Sequence, residues 1–113
     1  MPYAKGFLGI TTPRERLSRK LRDGAYRARK YGCRVEQVTI ADAEASGLLA
    51  ADECYLCHKP LGTFDQYALE HKVSLFHRGA HELANLGKSC LTCNQDKHIQ
   101  DELDYLASLD LAS

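Results

Sequence analysis

The sequence has no tryptophan, only three phenylalanines and one methionine, so few of these bulky apolar side chains are available to a core. No apolar run approaches the roughly 20 residues that a membrane span needs, and the N-terminal residues contain no apolar stretch long enough for a secretory signal. A chain of 113 residues buries a modest core, which a cross-link would reinforce. These absences argue against a membrane protein. They predict a cytoplasmic one.

The net charge is zero, but the two signs are unevenly distributed. Residues 1–34 carry ten basic and two acidic side chains, a net charge of +8, and residues 35–113 carry −8. A basic arm joined to an acidic body can attract phosphate through its local field. The sequence therefore predicts a basic arm over residues 1–34, with a separate domain over residues 35–113.

Helix signals are clearest at the start of the chain. Thr12, Pro13 and Glu15 form a capping box with proline at the first helical position, and Gly32 marks the end of that helix. Basic side chains cover much of its surface. Those predicted to contact DNA are Arg16, Arg19, Lys20, Arg27 and Lys30. A merely solvated basic face is the alternative.

Further elements follow from capping and alternation. Thr39 with Asp42 predicts a short helix over about 40–50, interrupted by Gly47. Alternating residues predict a strand over 67–75, followed by a loop over 76–82 and a second strand over 86–89. A last helix is expected over about 91–109.

Four of the five cysteines form two C-x-x-C pairs, and Cys33 stands alone. The pairs are Cys54 with Cys57 and Cys90 with Cys93, which together supply the four thiolates of a structural zinc site. Neither pair follows the βαβ pattern of a thioredoxin-like site, so a redox protein is a weaker alternative. Because 32 residues separate the pairs, we expect a folded and functional segment between them.

Three motifs lie between and after the cysteines: Leu69-Glu70-His71, then Gly79-Ala80-His81-Glu82-Leu83-Ala84-Asn85-Leu86, then Cys90-Leu91-Thr92-Cys93-Asn94-Gln95-Asp96-Lys97. In this order they resemble the HNH endonucleases, in particular their zinc-containing branch, common in phage and bacterial genomes. The resemblance covers about residues 54–98. It implies an α+β fold, a small ββα-metal (HNH) core stapled by the four-cysteine zinc site and preceded by the basic helix.

The resemblance also implies the chemistry. His71 takes the position of the general base and Asn85 that of the central asparagine, which ties the loop and helps orient the base. Glu70, Asn94 and His98 match positions that hold one catalytic divalent metal. Glu and Asn stand where many members have Asp and His, but their oxygens still suit Mg²⁺ or Mn²⁺.

The implied function is hydrolysis of phosphodiester bonds in double-stranded DNA, leaving 5′ phosphate and 3′ hydroxyl. The alternative is a non-catalytic zinc-knuckle module that binds nucleic acid. We expect DNA as the partner, with a phage-packaging or other DNA-processing protein as a further partner. The two remaining loop histidines, His77 and His81, are expected to contact solvent or phosphate, while oligomeric state, sequence specificity and biological role stay open.

Overall fold

The computed structural model describes residues 12–61 and 66–112. The N-terminal tail that precedes the first helix, residues 1–11, lies outside the described residues. Three helices and two strands follow one another in the order α1 (Pro13–Lys30), α2 (Ile40–Ser46), β1 (Ala68–His71), β2 (Leu86–Ser89) and α3 (Leu91–Ala112). The protein therefore has the small α+β architecture that the sequence predicts.

Helix α1 begins with the predicted capping box. The Thr12 side chain accepts a hydrogen bond from the Glu15 N–H, and the Glu15 carboxylate accepts one from the Thr12 N–H. The helix ends at Lys30, and Gly32 adopts a positive φ of 72°. Both ends are thus fixed by local sequence signals.

The inner face of α1 packs on the sheet and on α2. Leu17, Leu21 and Ala28 are buried, as is Gly24, whereas Ala25 is only half-buried. The leucines join one hydrophobic cluster with Ala43, Leu69 and Leu86. At about 1.5 to 3 kcal/mol for each fully buried leucine, this contact contributes substantially to so small a core.

Helix α2 is shorter than predicted. It starts with the expected Thr39 and Asp42 capping box but ends at Ser46, not near residue 50. Gly47, at φ 90°, adopts the left-handed conformation that closes the helix. Gly47, which was predicted to interrupt this helix, therefore marks its C-terminal end.

Strands β1 and β2 pair antiparallel, with Ala68 opposite Ser89 and His71 opposite Leu86. The bounds of β2 are as predicted, but the prediction that β1 reaches Leu75 was wrong. The backbone of Val73 is hydrogen-bonded to the Asn85 side chain on both its N–H and its carbonyl, so it is not available to a strand partner. Short 3₁₀ turns at Leu75–His77 and Leu83–Asn85 occupy the connection.

Helix α3 starts directly after β2, as predicted, and carries the second cysteine pair at its first turn. None of the helices in the described ranges is both long and apolar enough to cross a membrane.

Candidate metal centre and cavity

The segment from Glu53 to Pro60 forms a tight knuckle around the first cysteine pair. An antiparallel bridge joins Glu53 to Pro60, and the Cys54 N–H donates to the Lys59 carbonyl at 2.9 Å. The Cys54 Sγ accepts hydrogen bonds from the N–H groups of Leu56 and Cys57, at 3.4 and 3.5 Å. These bonds point a partly negative sulfur into the turn, as a metal ligand requires.

The second pair has the same arrangement at the start of α3, where the Cys93 N–H donates to the Cys90 Sγ at 3.4 Å. All four sulfurs lie within 4.8 Å of one another, and Cys57 Sγ and Cys90 Sγ are 3.9 Å apart. A tetrahedral site with Zn–S bonds of about 2.3 Å has sulfur separations close to that value. The cluster can therefore hold a zinc ion.

The thiols of this cysteine cluster differ in acidity. Burial opposes ionisation of Cys54, but N–H groups of Cys57, Cys90 and Leu56 outweigh it and lower the pKa to about 6. Hydrogen bonding to Cys90, together with burial, raises the pKa of Cys93 to about 12. Four crowded sulfurs cannot all ionise at neutral pH without a compensating cation, which is what a bound zinc would supply.

The cysteine cluster joins the knuckle, the sheet and α3. The Tyr55 N–H donates to the Lys88 carbonyl of β2 at 2.9 Å, and Cys90 follows β2 directly. Asn94, the residue after Cys93, donates its N–H to the Cys90 carbonyl at 2.9 Å. Asn94 therefore lies in the first turn of α3, directly after the second cysteine pair.

A cavity of about 150 Å³ lies between β1, α1 and the first turns of α3. It brings together five residues singled out in the sequence, and Lys97 also borders it. The residues are Glu70, His71, Asn94, His98, Arg27 and Lys97. Residues from three separate elements thus converge on one space.

Glu70 is only 7 % exposed, and its Oε2 is buried without a hydrogen bond among the described residues. Burial raises the pKa of this carboxyl above its ordinary value, although the nearby Tyr55 hydroxyl and the Lys97 ammonium partly oppose the shift. An unsatisfied buried carboxylate oxygen is costly. A divalent cation in the cavity would satisfy it, and the oxygens of Glu70 and Asn94 suit a hard ion such as Mg²⁺ or Mn²⁺.

His71 is also 7 % exposed, and its Nε2 lies 3.0 Å from Nδ1 of His81. Burial, then the charges of His81, Arg27 and Lys97, lower the pKa of His71 to about 4. The imidazole is therefore neutral at pH 7 and able to accept a proton. As neighbours on a strand, His71 and Glu70 have different contacts, yet both border the cavity.

Asn85 is buried and joins the two ends of the connection between the strands. Its Oδ1 accepts from the Val73 N–H at 2.8 Å, while its Nδ2 donates to the carbonyls of Val73 and Ala80, at 3.1 and 2.8 Å. The loop that follows His71 is thus held to the segment that precedes β2.

The expectation that His81 contacts solvent or phosphate was wrong, because this side chain is 1 % exposed. His77 is exposed, and its Nε2 is 3.6 Å from the Asp101 carboxylate. Lys97, for which the sequence reasoning gave no role, donates to the Asp101 carboxylate at 3.0 Å and to the His71 carbonyl at 3.4 Å. The sequence does indicate that Lys97 lies near the site, because it follows Asn94 by three residues and so shares the same face of α3.

The five basic residues predicted to contact DNA fall within an arc of about 100° around α1, beside the buried stripe. Arg19, Arg27 and Lys30 are exposed, and Arg27 also borders the cavity. Arg16 and Lys20 are half-buried, and the Lys20 ammonium lies over the ring of Tyr67, 5.0 Å from its centroid. The basic face therefore leads towards the cavity at its Arg27 end.

Residues 54–100 match the family model described as HNH endonuclease. Neither the comparison with curated proteins nor that with solved structures gives a match to this chain. The matched segment contains both halves of the cysteine cluster, both strands and the first turns of α3. An HNH domain indicates a nuclease or a nucleic-acid-binding role, and residues 54–100 of this chain form a domain of the HNH endonuclease family.

Proposed function

We propose that the chain is a metal-dependent endonuclease that hydrolyses phosphodiester bonds of double-stranded DNA. One observation carries the proposal: a neutral histidine, an unsatisfied buried carboxylate and two cationic side chains border the same small cavity. A module that only binds nucleic acid has no need to bury Glu70 against a cavity, because burial of such a group is unfavourable.

The roles follow from chemistry. His71 accepts a proton from the attacking water, which a neutral imidazole can do at pH 7. Arg27 and Lys97 stabilise the negative charge of the phosphate near the cavity. Asn85 holds the loop that follows His71.

Glu70 and Asn94 would hold one divalent ion, and His98 lies close enough along α3 to assist them. Such an ion, Mg²⁺ or Mn²⁺, would supply positive charge to the scissile phosphate and the leaving oxygen. Two ligand atoms support this ion site: the buried Oε2 of Glu70 and the side-chain oxygen of Asn94, a residue that borders the same cavity.

DNA would reach the cavity along α1. Arg16, Arg19, Lys20, Arg27 and Lys30 share one face of that helix. Phosphate contacts of this kind position a duplex without reading its sequence. The proposed surface therefore predicts little sequence preference from α1 itself.

The test is incubation of zinc-loaded protein with supercoiled plasmid in Mg²⁺, Mn²⁺, Ni²⁺ or Zn²⁺, with a chelator control. Wild type should nick, and His71→Ala should be slower by about 10²- to 10⁴-fold, with zinc content unchanged. His77→Ala, the loss of an exposed histidine, is the matched control and should retain activity. DNA binding without nicking in any metal would favour the non-catalytic binding module.

Glu70→Ala and Asn94→Ala distinguish metal binding from proton transfer. Each should raise the Mn²⁺ concentration needed for half-maximal nicking, and excess Mn²⁺ should partly restore the rate. His71→Ala should not respond to extra Mn²⁺. Equal metal dependence of all three variants would contradict the assignment of Glu70 and Asn94.

A further inference from the structure

Two buried imidazoles share one hydrogen bond at the edge of the cavity. His71 Nε2 and His81 Nδ1 are 3.0 Å apart, and the ring centroids are 5.2 Å apart with the planes tilted by 58°. The cavity is bordered by His71 but not by His81. His81 is thus placed to act on His71 and not on a substrate.

The backbone of His81 is fixed on both sides by the segment that follows α1. Its N–H donates to the Arg34 carbonyl at 2.8 Å, and its carbonyl accepts from the Glu36 N–H at 2.8 Å. The neighbouring Glu82 carboxylate accepts a hydrogen bond from the Arg34 guanidinium at 2.6 Å. His81 therefore holds its ring at a set position relative to the body of the protein.

Helix α1 packs against both imidazoles at Gly24, which has no side chain. A Cβ added at Gly24 would lie 3.2 Å from Cε1 of His81 and 3.4 Å from Cε1 of His71. Gly24 thus lets the helix backbone approach both rings. The backbone of α1 therefore bounds one side of both rings.

We propose that His81 is a positioning residue that fixes the orientation and tautomer of His71, by accepting at Nδ1 the hydrogen carried by His71 Nε2. This inference rests on the proposed nuclease function. One hydrogen lies between the two nitrogens, and only this assignment leaves His71 Nδ1 unprotonated and able to take a proton from water. The reverse assignment would place the hydrogen of neutral His71 on Nδ1 and block that step.

The proton transfer needs no group besides water, His71 and His81. Water gives its proton to His71 Nδ1, and the imidazolium that forms keeps its Nε2 hydrogen in the bond to neutral His81. That bond becomes charge-assisted and therefore stronger as the proton is transferred. His81 stabilises the protonated base and does not itself exchange a proton.

The first test is independent of catalysis. Nitrogen-15 NMR of histidine-labelled, zinc-loaded wild type, without added divalent ion, should give His71 as the tautomer with hydrogen on Nε2. His81→Leu, which removes the acceptor at similar volume, should give a mixture of His71 tautomers. A His71 hydrogen on Nδ1 in wild type would overturn the proposal.

The second test separates positioning from a structural role. His81→Leu should lower kcat by about 10- to 100-fold with KM within about twofold, at wild-type zinc content. His81→Asn offers an oxygen near the position of Nδ1 and should recover most of kcat. If both variants fail to fold, the His71 tautomer measured in wild type still tests the proposal. Wild-type kcat in a folded His81→Leu protein overturns the proposal, whereas a wild type that never nicks refutes the nuclease function instead.

Discussion

The side chain of Asn85 brackets the backbone of Val73, accepting from its N–H at 2.8 Å and donating to its carbonyl at 3.1 Å. A carboxamide is the side chain that can do both, since it carries an acceptor and two donors on one plane. The second donor hydrogen is used by the Ala80 carbonyl at 2.8 Å. This one residue therefore substitutes for the strand partner that Val73 lacks.

Asn85→Asp should destabilise the protein although its shape hardly changes. The variant loses both donor bonds and sets a carboxylate against two carbonyl oxygens, so we expect a loss of about 1 to 3 kcal/mol in the free energy of unfolding. Urea unfolding of the zinc-loaded protein measures it. Gln95→Glu makes a like change from amide to acid on the exposed face of α3 and should have little effect. Equal stability of the two variants would refute a donor role for Asn85.

Gly24→Ala should fail to give the gain that helix propensity predicts. Replacing glycine by alanine inside a helix normally stabilises it by about 1 kcal/mol, but here the new Cβ meets the rings of His81 and His71. We expect the variant to be no more stable than wild type. Asp23→Gly and Asp23→Ala, at the adjacent exposed position, measure the intrinsic difference. A full gain at Gly24 would mean that α1 does not press on the imidazoles.

Acid should destabilise the fold through His71. Its pKa is about 4 in the folded protein and near 6.5 in an unfolded chain, so the unfolded state binds more protons between those values. The free energy of unfolding therefore falls as pH decreases through this window. Between pH 7 and 5, wild type should lose about 1 to 2 kcal/mol more than His71→Asn.

Two other contributions to the pH dependence are controlled for. Glu70, whose pKa is raised, acts in the opposite direction but is present in both proteins. Zinc content measured at each pH excludes metal loss as the cause. Parallel pH profiles for the two proteins would contradict a depressed pKa at His71.

Removal of zinc should unfold much of the chain. Structural zinc binds with apparent free energies of about 10 to 16 kcal/mol, which exceeds the net stability of about 5 to 15 kcal/mol of a typical domain. Cys90→Ala should therefore lower zinc stoichiometry and Tm together. Cys33→Ser changes a residue outside the cysteine cluster, keeps a donor for the Leu75 carbonyl and should change neither. An unchanged melt after verified zinc loss would rule out a stabilising role.

DNA affinity should depend on salt through the basic face of α1. If about four of its five cations contact phosphate, log K should fall with log salt at a slope near −3.6. Changing Arg16, Arg19, Lys20, Arg27 and Lys30 to glutamine should flatten this slope and weaken binding to all sequences alike. An unaltered slope would place the DNA surface elsewhere.

Local signals in the sequence predicted local structure well. Both capping boxes, the cysteine pairs and the bounds of β2 depend on residues close together in the chain, so spacing alone defines them. The end of β1 was mispredicted because the alternation continues beyond His71, whereas the competing bonds come from Asn85, far along the chain.

The contact between His81 and His71 was not predicted from the sequence, for the same reason. A loop histidine has no local sign of burial, and His81 is buried by α1 and by the segment around Val35. Gly24 was the available signal, since a glycine inside a helix often marks close packing. Convergence of side chains on the cavity could be expected only from the family resemblance.

The bridge between Val35 and His81 has a consequence for the order of folding. The knuckle forms from near neighbours, but His81 reaches its place only when a long loop closes against the segment after α1. Loop closure of this kind slows folding more than it reduces stability. A chain still folding can thus complete its knuckle while His71 has no oriented partner, and the pairing of the two histidines should be among the last events on the folding pathway.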